Sequence, residues 1–165
     1  MKAGDAKALE ARLAEACVRR GLTVATAESC TGGLIAARIT SVPGASAVFL
    51  GSVVSYANAA KRDLLGVSQD VLDRWGAVSA ECAEAMAAGV RERLKADVAV
   101  SVTGIAGPDG GTPQKPAGLV FIGVATTAGV RVERCLFAGD REAVRRQAAD
   151  RALALLLEAA QLVTR

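Results

Sequence analysis

Residues 22–40, LTVATAESCTGGLIAARIT, place two apolar stretches on either side of a short polar segment. Residues 22–27 form a short, largely apolar run, which predicts a buried strand. Residues 30–40 are predicted to form a helix, which ends before the Val-Pro-Gly sequence at residues 42–44. A strand that passes directly into a helix is typical of α/β folds, and Ser29 lies at the junction.

Four further strands are predicted by runs of apolar, β-branched and aromatic residues. They cover residues 47–57, 97–102, 119–126 and 130–137. A Thr-Ala-Gly turn joins the last two, which therefore form an antiparallel hairpin.

Helices are predicted between most of these strands from the spacing of apolar residues and from capping residues. The first covers residues 5–20 and stops at Gly21; three others begin near the capping residues Asn58, Ser68 and Ser79, and the last runs from Asp140 to about Val163. This order of elements predicts an α/β protein, a three-layer α/β/α sandwich with a mostly parallel, mixed sheet. The length fits one domain over residues 1–165.

The composition fits this fold class and argues against nucleic-acid binding. Hydrophobic residues make up 52% of the chain and aromatic residues only 3%, so the core is expected to consist of Ala, Val, Leu and Ile. The net charge is +3, and the Lys and Arg residues are dispersed rather than clustered. A dedicated nucleic-acid binder would need a basic patch with aromatic side chains for base stacking.

The cysteine and histidine content argues against a metal or redox centre. The four cysteines are far apart, form no CxxC pair, and are accompanied by no histidine. The sequence also contains no secretory signal core and no apolar run long enough to cross a membrane. We therefore expect a cytoplasmic location and no metal, cofactor or membrane partner.

Three features are expected to meet at one edge of the sheet. The strands that end near residues 27, 57 and 102 are followed respectively by Ser29, by Lys61 and by a glycine- and proline-rich loop at residues 103–118. Ligands of open α/β sheets bind beyond the carboxyl ends of the strands. If these three strands are parallel neighbours, the features form one site.

A serine nucleophile at this edge needs a base other than histidine, and a lysine of lowered pKa is the known alternative. Lys61 lies in the first turn of a predicted helix, where the helix dipole and partial burial both oppose its charge. Tyr56 could relay a proton between the two or hold the lysine. The residues alone also allow Ser29 to be a helix cap, Lys61 a solvated side chain and Tyr56 an ordinary strand aromatic.

Other polar features at this edge are weaker signals. The loop at residues 103–118 could wrap an anion or an amide carbonyl with its backbone, but it matches no nucleotide-binding fingerprint. Arg141 and Arg145 lie on one helix face and could bind a phosphate, or could pair with acidic neighbours. Cys30 is interpreted as a small packing residue rather than a nucleophile.

Three segments taken together resemble a known family, the CinA C-terminal domain family of nicotinamide-mononucleotide amidases. They are TVATAESCTGGLIAARITSVPGASAVFLGSVVSYANAAKRDLLGV (residues 23–67), VSVTGIAGPDGG (100–111) and FAGDREAVRRQAADRAL (137–153). The resemblance implies hydrolysis of the carboxamide of nicotinamide mononucleotide, which yields nicotinic acid mononucleotide and ammonia in pyridine-nucleotide recycling. It implies no metal and no cofactor.

The resemblance also assigns roles to residues. It implies that Ser29 is the nucleophile, that Lys61 is the base and that Tyr56 assists. It further implies that the substrate is contacted by Thr31, Gly32, Gly33, Thr103, Gly104, Ala106, Gly107 and Arg145, the last of these at the phosphate.

Two other functions remain open on the sequence. The chain could be a regulatory module that binds a pyridine nucleotide without turnover, or a hydrolase of another amidated nucleotide or free amide. Its expected partner is a small nucleotide substrate, and the Ala-rich helix near residues 80–90 and the family resemblance suggest a homo-oligomer.

Overall fold

The structure is a computed structural model that describes residues 7–164. The strands are β1 (Val24–Glu28), β2 (Phe49–Val54), β3 (Val98–Gly104), β4 (Leu119–Thr126) and β5 (Gly129–Leu136). The helices are α1 (Leu9–Arg20), α2 (Leu34–Thr40), α3 (Asn58–Leu65), α4 (Gln69–Trp75), α5 (Ala80–Leu94) and α6 (Arg141–Leu162), with a 3₁₀ turn at Ala45–Ala47. Within this range, no helix has both the length and the hydropathy of a membrane span.

The five strands form one mixed sheet in the order β2-β1-β3-β4-β5. β1 lies between β2 and β3 and is parallel to both, whereas β4 is antiparallel to β3 and to β5. The α/β class, the mixed sheet and the C-terminal hairpin predicted from the sequence are confirmed. Because β1, β2 and β3 are parallel, their carboxyl ends meet at one edge.

Helices cover both faces of the sheet, which completes the predicted sandwich. On one face, α1, α2 and α6 pack against side chains such as Val98 and Val100 of β3. On the other, α3, α4 and α5 pack against Ala25 of β1 and Ala99 of β3. The side chains of β3 alternate between the two cores, as the two-residue period of a strand requires.

Helix α5 lies unusually close to the sheet because the residues between them are small. Ser101 of β3 donates a hydrogen bond of 2.6 Å to the carbonyl oxygen of Ala83 on α5. A Cβ atom at Gly123 of β4 would lie 2.6 Å from the same oxygen. This close packing fixes the position of α5 and of the segment that leads into it, which borders the candidate site.

Several element boundaries differ from the sequence-based predictions. The largest error is at α2, which begins at Leu34 rather than at residue 30, because Gly32 and Gly33 have φ angles of +59° and +99° that an α-helix does not contain. Asn58 is the first residue of α3 and not its cap; Ala57 holds the cap position. Ser68 and Ser79 do cap α4 and α5, as predicted, whereas Asp140, predicted as the start of the last helix, caps α6, which begins at Arg141. Residues 5–6 of the first predicted helix lie outside the described residues.

Candidate active site

The register of the parallel strands brings the three predicted features together. Glu28, the last residue of β1, is paired with Val54 of β2 and with Val102 of β3. Ser29 therefore lies level with the start of the connection that leads to Lys61 and with the last residues of β3, which pass into the glycine loop. Side chains from all three surround a cavity of about 270 Å³.

The segment between β1 and α2, residues 29–33, is a compact turn that presents the Ser29 side chain. The Ser29 N–H donates to the carbonyl oxygen of Val102 at 3.0 Å, and the Ser29 carbonyl oxygen accepts from the N–H of Gly32 at 3.0 Å. Within the described residues, the N–H groups of Cys30 and Thr31 have no hydrogen-bond partner in another residue. The N–H groups of Gly32 and Gly33 are occupied, the first by the carbonyl oxygen of Ser29 and the second by the carboxylate of Glu28.

The sequence analysis missed Glu28, whose buried carboxylate caps α2. It accepts hydrogen bonds from the N–H groups of Gly33, Ile35 and Ala36 at 3.2, 3.0 and 3.0 Å. A carboxylate at a helix N-terminus satisfies N–H groups that have no partner within the helix and complements its dipole. The capping residue thus belongs to the preceding strand, whereas sequence patterns for helix caps consider only the residues next to the start of the helix.

Lys61 is buried beside Ser29 at the other side of the cavity. Only 1% of its surface is exposed. Its Nζ lies 2.9 Å from Ser29 Oγ, 2.7 Å from the carbonyl oxygen of Ser55 and 3.2 Å from that of Tyr56. All three neighbours are uncharged, and none of the hydrogen bonds of Nζ in residues 7–164 involves a carboxylate. Burial therefore lowers the pKa of the Lys61 amine.

These contacts fit a neutral amine in one particular arrangement. A neutral primary amine has two N–H donors and one lone pair. The carbonyl oxygens of Ser55 and Tyr56 can only accept, so they use the two donors. Nζ also lies within hydrogen-bond distance, 2.9 Å, of the Ser29 hydroxyl. In the neutral form the lone pair would face this hydroxyl and accept its proton, so a base could act here without any histidine.

Tyr56 approaches the site with its backbone rather than its ring. Its carbonyl oxygen accepts from Lys61, whereas its side chain is 62% exposed. The phenolic oxygen accepts a hydrogen bond of 3.1 Å from Arg141 Nη2, and the Nη1 of the same arginine donates to the carbonyl oxygen of Gly107 at 3.0 Å. Within the described chain, no hydrogen bond joins the Tyr56 hydroxyl to Ser29 or Lys61. Tyr56 and Arg141 instead bridge two sides of the cavity.

The glycine loop forms the opposite wall of the cavity. Thr103 is buried, and its hydroxyl donates to the carbonyl oxygen of Ala77 at 2.7 Å. Gly104 packs so closely on β4 that a Cβ atom would lie 2.7 Å from the carbonyl oxygen of Leu119. Ala106 and Gly107 line the cavity, and Gly107 has a φ angle of +80°. These small residues leave room for a ligand beside Ser29 and Lys61.

A second cavity, of about 730 Å³, adjoins the first. Ala106, Gly107 and Arg141 line both cavities. The second is also lined by residues near the start of α6, including Asp140, Glu142, Arg145 and Arg146. Its charged lining contrasts with the uncharged surroundings of Lys61.

Arg145 reaches from α6 to the turn that carries Ser29. Its Nε donates to the carbonyl oxygen of Cys30 at 3.1 Å and its Nη2 to that of Thr31 at 3.0 Å. A Cβ atom at Gly32 would lie 3.4 Å from Nη2. The side chain of Thr31 is buried, and its hydroxyl oxygen has no partner in the described residues. Of the predicted substrate-binding residues, Thr31, Gly32 and Gly33 therefore shape the turn.

The cysteines have the properties of packing residues. Burial raises the pKa of the Cys30 thiol to about 11, although Arg145 and Lys61 act in the opposite direction. Burial likewise raises the pKa of Cys82, which lies in the core beneath the site, to about 11. Within residues 7–164, no three His, Cys, Asp or Glu side chains are grouped so that they could hold a metal ion. Among the candidate groups described at this edge, the Ser29 hydroxyl is the one in contact with the Lys61 amine.

Comparison with known families identifies the family of this chain. The profile described as "CinA C-terminal domain" matches residues 6–160. The chain belongs to the CinA C-terminal domain family. A "CinA-like protein" of Geobacter metallireducens is 52% identical over 143 residues, which are 87% of this chain and 35% of that relative. A "CinA-like protein" of Citrifermentans bemidjiense is 54% identical over 143 residues, again 87% of this chain and 34% of the relative. The chain thus spans about a third of the length of these relatives.

Solved structures of CinA family members have the same fold. The competence/damage inducible protein CihA of Agrobacterium tumefaciens superposes with a TM-score of 0.89 at 43% identity, covering 91% of this chain and 92% of that one. A competence-damaged protein (CinA) superfamily protein of Enterobacter cloacae gives a TM-score of 0.89 at 32% identity, covering 94% and 95%. The names of these relatives state the family and no reaction.

Proposed function

We propose that this CinA domain is an amidohydrolase that converts nicotinamide mononucleotide to nicotinic acid mononucleotide and ammonia, with Ser29 as the nucleophile and Lys61 as the base. The observation that carries the proposal is the 2.9 Å contact between the Ser29 hydroxyl and a buried amine whose hydrogen-bond partners in the described residues are all uncharged. A lysine can act as a base only when it is neutral at the working pH, and burial favours that form.

The reaction begins when Ser29 Oγ attacks the carboxamide carbon and Lys61 Nζ takes the hydroxyl proton. A C–O bond forms and the carbonyl becomes an oxyanion. When the C–N bond breaks, the ammonium of Lys61 returns the proton to the leaving nitrogen, which departs as ammonia. Water then attacks the acyl-enzyme and gives a proton to Lys61. The C–O bond to Ser29 breaks, and Lys61 returns that proton to Oγ.

The oxyanion would be stabilised by the turn that carries Ser29. The N–H groups of Cys30 and Thr31 have no hydrogen-bond partner in another described residue. Cys30 lines the smaller cavity, beside Ser29 and Lys61. Hydrogen-bond donors that are already oriented by the fold need not reorient during the reaction. Each such donor stabilises the developing negative charge by a few kcal/mol. The N–H of Ser29 itself is not available, because it is bonded to Val102.

The two adjoining cavities match the two ends of a mononucleotide. The carboxamide would lie in the smaller cavity, against Ser29 and between the walls formed by Thr103, Gly104, Ala106 and Gly107. The phosphate would lie in the larger cavity, where arginines at the start of α6 supply positive charge. Arg145 lines that cavity and has one guanidinium nitrogen, Nη1, with no hydrogen bond in residues 7–164. It could therefore contact the phosphate as well as the turn.

Ammonia release from nicotinamide mononucleotide by the purified protein tests the proposal. The wild type should release ammonia with or without a chelator, and Ser29→Ala should release none above background. The matched control is Ser68→Ala, which removes the cap of α4 and costs about 1 kcal/mol of stability without touching the site. Full activity in Ser29→Ala would show that Ser29 is not the nucleophile. A ligand-induced rise in melting temperature without ammonia would instead favour a binding module.

A further inference from the structure

Arg145 links the last helix to the nucleophile-bearing turn through two parallel hydrogen bonds. The acceptors are consecutive carbonyl oxygens, those of Cys30 and Thr31, at 3.1 and 3.0 Å. The planar guanidinium presents its N–H groups in a fixed fork, so both carbonyls are oriented together. Arg145 is half-buried, and no hydrogen bond to a carboxylate occupies its guanidinium within the described residues. Its position is therefore tied to the turn.

The two hydrogen bonds from Arg145 to these carbonyls also fix the direction of the N–H groups in the same peptide units. In a trans peptide unit the C=O and the following N–H point to opposite sides. Fixing the carbonyl of Cys30 therefore fixes the N–H of Thr31, and fixing the carbonyl of Thr31 fixes the N–H of Gly32. The latter donates to the Ser29 carbonyl at 3.0 Å, which in turn fixes the N–H of Cys30. All three peptide units from residue 29 to residue 32 are oriented by one side chain.

We infer that Arg145 is a positioning residue that holds the nucleophile turn in the geometry required to stabilise the oxyanion. This inference rests on the proposed function of Ser29 and assigns to Arg145 a role separate from phosphate binding. Glu28 anchors the other end of the same turn, where its carboxylate accepts from the N–H of Gly33. The turn is thus held by a cation on two of its carbonyls and by an anion on the N–H group at its end.

The variant Arg145→Lys distinguishes a positioning role of Arg145 from a role in which only its positive charge matters. Lysine keeps the positive charge that attracts a phosphate but cannot hold two carbonyls in a fixed fork. If Arg145 positions the turn, Arg145→Lys should lower kcat by about 10²-fold, because misplaced reacting groups or a lost oxyanion donor cost about this much. If Arg145 only attracts the phosphate, Arg145→Lys should mainly raise KM.

The experiment compares Arg145→Lys and Arg145→Ala with wild type on nicotinamide mononucleotide and on the riboside that lacks the phosphate. The control is Arg151→Ala, because Arg151 lies on the same helix and also uses Nε and Nη2, there toward Glu133. Melting temperatures are recorded for all variants. We expect a similar kcat loss on both substrates for the Arg145 variants, and a change within about twofold for Arg151→Ala.

A second readout does not depend on the substrate. A fluorophosphonate probe should label Ser29, and Arg145→Lys should slow labelling by about the same factor as kcat. A loss confined to the phosphorylated substrate, with labelling at the wild-type rate, would overturn the inference. If wild type is labelled at Ser29 but releases no ammonia from the nucleotide, the proposed substrate fails and the slowed labelling still supports the role of Arg145. If wild type is not labelled at all, both are wrong.

Discussion

On one side of Ser29, the turn at residues 29–33 is held by charged groups, whereas on the other side the hydrogen-bond partners of Lys61 within residues 7–164 are all uncharged. The carboxylate of Glu28 accepts from three backbone N–H groups, and the guanidinium of Arg145 donates to two carbonyls. The amine of Lys61 is bonded to two carbonyl oxygens and one hydroxyl.

The difference shows that charged side chains can hold one segment of a site in a fixed conformation while a neighbouring amine is surrounded by uncharged hydrogen-bond partners. A charged group that is fully hydrogen-bonded to the backbone holds a segment in one conformation. A carboxylate next to Lys61 would favour the ammonium and remove the base. Under the proposed function, an acidic group near Ser29 has to be directed away from Lys61, and the carboxylate of Glu28 is directed at backbone N–H groups.

The largest effect that tests this contrast is expected from Lys61→Arg. A guanidinium stays protonated at neutral pH, so the variant keeps a cation but loses the base. The expected loss of kcat is about 10²- to 10⁴-fold, the usual contribution of a general base. Ammonia release measures it, with Lys95→Arg, at the far end of α5, as the control. Activity within tenfold of wild type would mean that Lys61 is not the base.

The role of the Glu28 carboxylate in holding the turn is tested by the stability of the variant Glu28→Gln. The substitution keeps the shape but replaces one acceptor oxygen by an NH₂ group that faces backbone donors. Leaving buried donors without an acceptor should lower the free energy of unfolding by about 1–3 kcal/mol. Urea unfolding measures this loss. An unchanged midpoint would show that the carboxylate does not hold the turn.

The sequence alone predicted most of the architecture, because the relevant signals are local. Apolar runs marked the strands, and Ser68, Ser79 and Asp140 marked helix starts that the structure confirms. Placing Ser29, Lys61 and the glycine loop at one edge required only the assumption that three strands are parallel neighbours. The strand pairing bears that assumption out.

The errors concern features that depend on tertiary contacts. Nothing in the residues near Leu34 shows that its helix is capped by Glu28, because the carboxylate acts from the preceding strand. The pair Gly32-Gly33 was the available signal that the helix begins later, since adjacent glycines favour positive φ angles. The two bonds from Arg145 to the turn span more than 110 residues of sequence and have no local signature.

A smaller effect is expected from Tyr56→Phe. The carbonyl oxygen that binds Lys61 is retained, and only the exposed hydrogen bond with Arg141 is lost. Such a bond contributes about 1 kcal/mol or less, so kcat/KM should fall by about fivefold at most. Steady-state kinetics measures the change. A loss of about 10²-fold in kcat would instead indicate that the phenol relays the proton.

The most direct test of the account is a titration of the Lys61 amine by NMR, with the signal assigned by its absence in Lys61→Arg. Burial disfavours the ammonium, so the protonation midpoint in the folded protein should lie below the ordinary value of 10.5. The fraction of neutral amine, and with it kcat/KM, should rise with pH through that midpoint. A midpoint at or above 10.5 would contradict the account, because Lys61 would then be an ammonium at neutral pH and Ser29 would lack a base.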